Sequence, residues 1–378
     1  MTSVCDNAAY KMSDPASIQS AIRNSKSAIP WFIATAALYA AFAVYLYWPH
    51  FSRLAGWEWL LPVSAWGAAC GGYLLSRRWV AGCTGSLLAG LVYGFGPFLL
   101  GLARFHPASS LLAAGVPWLF LPAAVSRASR PRSEGKMPST RGKWLRLPLW
   151  LLPFVVIALF FYLSAGRRLF AAPLQANVRL LDLAGFLAPL ALIGRGTAVL
   201  GVYHVPIAAL VLGLAMVWKA RRYGILLIAA AGLVLAFSKS FLSAGSLAWL
   251  GISPILWLSI PMLWCAILCG IGLQGLIEAG PADKRWVLAA AILLGVLAIV
   301  ALLPAAGGFQ VFPGLGDGED RLFLQTAEIY LVGAGAIGFI YLLTRQNLRL
   351  HWLRWAILCA ALGVDIFVSA TYVADKVF

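Results

Sequence analysis

The chain has 378 residues, 62% of them hydrophobic and 11% charged, with a mean hydropathy of +0.86. Soluble domains run at roughly 45–50% apolar and about 25% charged, so an ordinary water-soluble globule is excluded and a polytopic membrane protein is indicated. The formal net charge of +16 would suggest nucleic acid in a soluble protein. Here the cations sit between apolar runs, where orientation in the membrane and anionic headgroups account for them, and no nucleic-acid partner is expected.

Residues 1–30 read as a cytoplasmic tail. No basic stretch leads directly into an apolar core with a small-residue cleavage site, so a cleaved signal peptide is not expected. Cys5 has no apolar run before it, which argues against a lipoprotein anchor. Ser13-Asp14-Pro15 has the composition of a helix start, and Ile18, Ala21 and Ile29 would lay a short helix on the inner leaflet; a solvated tail is the alternative.

Residues 31–125 form a first transmembrane section of four spans, at about 31–48, 57–76, 80–103 and 109–125. Trp48, Trp57 and Trp59 stand where aromatic side chains mark the headgroup level. The third span carries Gly90, Gly94, Gly96, Pro97 and Gly101. That density predicts a packing helix that neighbours approach closely, with a kink at Pro97.

Residues 126–147 are a basic loop. Arg127, Arg130, Arg132, Lys136, Arg141, Lys143 and Arg146 face a single acid, Glu134. Short Lys/Arg-rich loops stay cytoplasmic, so this loop fixes the inner side.

Residues 148–378 form a second section of seven spans, at about 148–165, 199–218, 223–238, 254–278, 286–303, 326–344 and 355–373, giving about eleven in all. The piece Leu180–Ile193, which contains Asp182, Gly185 and Pro189, is short for a crossing; it is expected to be interfacial or re-entrant, within an outer non-crossing segment at 166–198. With that parity the tail, Arg77/Arg78, the basic loop, Lys219/Arg221/Arg222, Lys284/Arg285 and Arg345/Arg349/Arg354 share one side, 20 of the 29 Lys and Arg residues. The N-terminus is then cytoplasmic and the C-terminus extracytoplasmic, in a cytoplasmic (inner) membrane. A glycine-rich loop at 304–325 with Asp317, Glu319 and Asp320 would face outward. No internal repeat is evident, so sequence symmetry does not support an inverted-repeat transporter.

Several patterns carry little chemistry. Gly270, Gly272 and Gly275 match GxGxxG but lie inside an apolar span with no strand before them, which favours helix packing over dinucleotide binding. Cys265 and Cys269 share a helix face without His or further Cys nearby, so no metal is expected. The six cysteines (5, 70, 83, 265, 269, 359) suggest no disulfide framework. Of the histidines only His204 is well inside a span, which leaves no pair to hold a haem, and no cofactor is expected.

The residues that stand out are ionisable groups in or beside the membrane. Asp365 is near the middle of the last span and Glu328 near the outer end of the tenth. Glu278, beside Gln274, reads as interfacial. Arg53, Glu58, Arg104, His106, Arg179, Asp182, Arg195 and Lys239 lie near the outer face. Brought together they would form a cationic site suited to a lipid-linked phosphate with an acid/base group; kept apart, Arg53/Glu58 and Arg179/Asp182 are local ion pairs.

The run Tyr93-Gly94-Phe95-Gly96-Pro97-Phe98, then Arg104-Phe105-His106-Pro107, then Gly115 to Pro122 with Pro117 and Trp118, resembles the third and fourth helices of GT-C-type polyprenyl-phosphate-sugar glycosyltransferases and related polytopic proteins. The resemblance covers about residues 80–125. It implies a catalytic carboxylate in the first outer loop, for which Glu58 is the acid in place; Arg53, Arg104, His106, Arg179 and Arg195 are the outer-face groups that would bind substrate if they converge. The eight-residue first outer turn departs from the longer loop usual in that family. A cysteine-dependent transpeptidase of the exosortase kind would cast Arg179 and His204, but no cysteine is placed near the outer surface. The sequence therefore leaves three readings: handling of a lipid-linked or amphiphilic substrate at the outer leaflet, a non-enzymatic membrane subunit scaffolding or anchoring a larger complex of membrane proteins, and a transporter. Membrane lipids are partners on each of them.

Overall fold

A computed structural model describes residues 25–52, 54, 59–80, 82–105, 107–128, 155, 206–219, 223–237, 254–306, 318–346 and 350–377. Among these every regular element is a helix. The helices are α1 (Ser25–Tyr47), α2 (Leu60–Ser76), α3 (Cys83–Gly94), α4 (Pro97–Phe105), α5 (Pro107–Ala128), α6 (Ile207–Lys219), α7 (Tyr223–Ala236), α8 (Pro254–Trp257), α9 (Ser259–Glu278), α10 (Lys284–Ala305), α11 (Gly318–Arg345) and α12 (His351–Val377). Single 3₁₀ turns follow α1 and precede α10.

Five stretches are long and apolar enough to cross a membrane: Pro30–His50, Cys83–Leu102, Ser259–Glu278, Lys284–Leu303 and Phe323–Arg345. Leu60–Ser76, Ser110–Pro122 and Tyr223–Ala236 are shorter apolar helices. This is an integral membrane protein. The expected span at 148–165, save Val155, the segment 180–193 and most of the basic loop lie outside the described residues.

The helices sort into a centre and a rim. Cys83–Leu102 is 94% buried and Ser259–Glu278 is 72% buried, whereas Pro30–His50 and Lys284–Leu303 are each 28% buried. Lipid is as apolar as a leucine core, so burial at the centre needs close packing rather than hydrophobicity, and small residues supply it. Where α2 crosses α3, a Cβ on Gly94 would stand 2.6 Å from the Ala65 carbonyl oxygen, and one on Gly72 would stand 3.3 Å from the Gly90 Cα. Tyrosine and tryptophan donors then tie helices to neighbouring backbone carbonyls. Tyr39 Oη donates to Leu87 O (2.6 Å), Tyr93 Oη to Ala113 O (2.6 Å), Trp66 Nε1 to Ala36 O (2.9 Å) and Trp118 Nε1 to Gly67 O (3.1 Å).

The third apolar stretch breaks between α3 and α4, where Pro97 has no amide proton to continue the helix ladder and Phe95 leaves helical geometry at φ −113°, ψ 5°. Phe95 is fully buried against Phe42, edge to face at 4.8 Å. At the other end of the chain, α11 begins at Gly318, so residues 318–325 of the expected 304–325 loop are helical, and α10 continues to Ala305. Glu319 and Asp320 fall in the first turn of α11, where acids are favoured by the helix dipole.

Helix α9 is the hub, and its three GxGxxG glycines face two neighbours, α3 and α6. A Cβ on Gly270 would stand 2.5 Å from the Gly85 carbonyl oxygen of α3. Gly272 meets the Ala209 and Gly213 backbone of α6, and Gly275 meets Met216. These glycines serve helix packing.

Candidate functional site

Asp365 sits on α12, fourteen residues after its first residue and twelve before its last. At 1.5 Å per residue that is about 20 Å from either end, the middle of any membrane the helix crosses. Asp365 is half-buried and lines a cleft between α6, α9, α10, α11 and α12 that is open on one side. The walls are apolar: Leu273 and Leu276 from α9, Leu294 from α10, Ile337 from α11, Leu358 and Leu362 from α12.

Two donors stand near the carboxylate. Tyr330 of α11, 3% exposed, lines the same cleft. Cys269 of α9 stands behind the lining, where its thiol donates to the Pro206 carbonyl at 3.6 Å. Pro206, immediately before α6, is itself part of the lining. A phenol, a thiol and a carboxylate thus gather at mid-helix depth in an otherwise hydrocarbon surface. Such a setting can hold an apolar chain and fix one polar group.

A second polar assembly lies at the C-terminal end of α9, about 15 Å further along the helix axis from Cys269. Gln274 reaches across to the start of α3. Its Oε1 accepts from Thr84 Oγ1 (3.0 Å) and from the Gly85 amide (3.4 Å), one of the first-turn donors that a helix cannot satisfy internally. Its Nε2 donates to Glu278. Arg354, in the first turn of α12 and only 2% exposed, donates from Nη1 to the Ala279 and Ile277 carbonyls, and His351 Nδ1 lies 3.2 Å from Ile277 O. A cation at a helix C-terminus meets the negative end of the dipole and the unpaired carbonyls together. This assembly joins α3, α9 and α12.

The expected site residues fare differently. Glu328 is on α11, two residues before Tyr330, is exposed, and is not among the described residues that line the cleft. Arg104 belongs to the last turn of α4 by its backbone. Arg53, Glu58, His106, Arg179, Arg195, Asp182, His204 and Lys239 lie outside the described residues. Within the stretch that carries the GT-C resemblance, Tyr93, Phe95 and Trp118 are packing residues with the hydrogen bonds and ring contacts given above. Among the described residues no three His, Cys, Asp or Glu side chains gather as metal ligands would.

Sequence reasoning missed Tyr330, Cys269 and Arg354. Arg354 carried a signal: Trp352 and Trp355 flank it, marking the headgroup level, and both are exposed while Arg354 turns inward. Comparison of the chain with family models, with curated proteins and with solved structures finds no match.

Proposed function

We propose that the protein binds an amphiphilic molecule from the membrane, with an apolar chain in the cleft and a polar group at Asp365. The observation that carries this reading is the placement of one carboxylate in an apolar cleft walled by five helices. An ionised aspartate at mid-membrane costs roughly 2.5–3.5 kcal/mol on insertion scales. A polar contact from a ligand in the cleft would help to offset that cost. The outer-leaflet, lipid-linked version of the reading places the ligand's head toward the face where α11 begins and α12 ends.

Filling the cleft tests the proposal. Ala336 lines it on the α11 side, and Ala336→Phe would occupy the space that an apolar chain needs. Protein purified in mild detergent should carry co-purifying amphiphile, read by native mass spectrometry, and the Ala336→Phe protein should have lost it while eluting as the same monodisperse species. Equal ligand content in both proteins would sink the reading.

A further inference from the structure

We propose that the corner of the bundle where α10 begins and α11 ends holds the headgroup of an anionic, phosphate-bearing lipid, whose chains lie on the outward faces of those two helices. The inference stands apart from the cleft reading and does not involve Asp365. Two short connections bring the corner together. Lys284 comes six residues after Glu278, the last residue of α9, and Arg345 comes six residues before His351, whose Nδ1 lies 3.2 Å from Ile277 O of α9. Between the two helices, Leu294 of α10 stands against Gly333 of α11, its Cδ1 2.9 Å from the place of a Cβ. Lys284 and Arg345 are ten and twelve residues from that contact. At about 15 and 18 Å along their helices, the two cations stand at one level.

Lys284, Arg285 and Arg345 are all exposed. On α10, Arg285 ends an outward apolar stripe through Leu288, Ile292 and Val296; on α11, Arg345 ends another through Leu331, Phe339 and Leu342. An apolar stripe closed by a cation repeats the order of a lipid from chain to phosphate, and the guanidinium fork and the ammonium both suit phosphate oxygens. Trp286, Trp352 and Trp355 are exposed at the same end of the bundle, where indoles mark the headgroup level. The described acids at this corner, Glu278 and Asp283, each accept a hydrogen bond within the fold, from Gln274 Nε2 and from the Gly280 amide. Orientation in the membrane requires cations in the loops on one side. It does not require them to close the apolar stripes of two adjoining helices at one level, and a bound anionic lipid does.

The test uses the full chain in mild detergent with equimolar phosphatidylglycerol and phosphatidylcholine, and native mass spectrometry counts the lipid retained. Phosphatidylglycerol should be retained over phosphatidylcholine by about ten-fold or more, since three cations act on one anionic headgroup. A phosphatidylglycerol with a diazirine in its acyl chain should label the outward stripes of α10 and α11. Inorganic phosphate at millimolar concentration should leave that labelling unchanged, because it has no chains to lie on the stripes. Lys284→Gln, Arg285→Gln and Arg345→Gln together should cut the labelling of these stripes by about five-fold or more, and the charge-keeping set Lys284→Arg, Arg285→Lys and Arg345→Lys should hold most of it. Equal retention of the two lipids, label confined to other segments, or displacement by inorganic phosphate overturns the assignment. Unchanged stripe labelling in the Gln protein overturns it as well. The retention, mapping and phosphate readings are made on the unaltered protein, so they decide the matter however the variants fold.

Discussion

Gly272 shows how little room single positions leave at the hub. Its missing side chain lets α9 lie directly on the Ala209 and Gly213 backbone of α6, and the same holds for Gly270 against Gly85 of α3. Such contacts are fixed by main chain on both sides, so an added methyl cannot be absorbed by a rotamer change. Gly272→Ala is therefore expected to cost about 1–3 kcal/mol and to lower the thermal unfolding midpoint in detergent. Gly335 on α11 is the control, because a Cβ there meets nothing within 4 Å. Gly335→Ala should leave the midpoint unchanged or raise it, by up to roughly 1 kcal/mol in helix propensity. A midpoint for Gly272→Ala equal to that of Gly335→Ala would mean that α6 and α9 are not packed as described.

At the scale of elements, α9 is held by groups that lie on its neighbours. Arg354 anchors the C-terminal end of α9 to α12, and Gln274 anchors the first turn of α3 to α9. Arg354→Leu leaves the Ile277 and Ala279 carbonyls without their charged donor, with an expected loss of about 1.5–3 kcal/mol. Arg354→Lys keeps a cation at the helix dipole and should recover part of it. Thermal unfolding of both variants measures the difference; identical midpoints for Lys and Leu would remove the charge from the argument. Arg354 also marks what the sequence made legible. Apolar run length located the helices, and the glycine density of the third stretch foretold a buried packing helix broken near Pro97. Arg354, however, reads in sequence as one more cytoplasmic loop cation, since its partners are carbonyls seventy-five and seventy-seven residues away. The cleft is hidden for the same reason. Asp365 is conspicuous alone, but its surroundings come from residues near 206, 273, 294, 330 and 358, and no spacing within one helix brings them together.

At the scale of the whole molecule, the helix directions decide how the chain threads the bilayer. Gly85 lies beside Gly270 and Thr84 beside Gln274, so α3 runs antiparallel to α9. Tyr93 meets Ala113, and Leu99 of α4 meets Ser110, so α5 runs back along α3 and α4 and is parallel to α9. Pro206 is beside Cys269 and Met216 beside Gly275, which makes α6 parallel to α9 as well. The end of α5 at Ala128 and the start of α6 at Ile207 are therefore at opposite ends of the bundle, and an odd number of crossings must join them. Two apolar stretches compete for that role. Residues 148–165 span about 27 Å as helix and 180–193 about 21 Å, against a hydrocarbon core of roughly 30 Å, so the first is expected to cross and the second to stay on the outer side. If the basic loop at 126–147 stays cytoplasmic, as short Lys/Arg-rich loops do, the Ala128 end is expected on that side. Helix α12 runs antiparallel to α9, with Arg354 beside Ala279, and on that expectation Val377 would lie outside. Single cysteines at Asn177 and Thr197 should both react with an impermeant maleimide added to intact cells, and a reporter fused after Lys136 should be cytoplasmic while one after Phe378 should not. Labelling of only one of the two cysteines would place an additional crossing between them, reverse α6 relative to α5, and contradict the pairing of Pro206 with Cys269 on which the cleft is built.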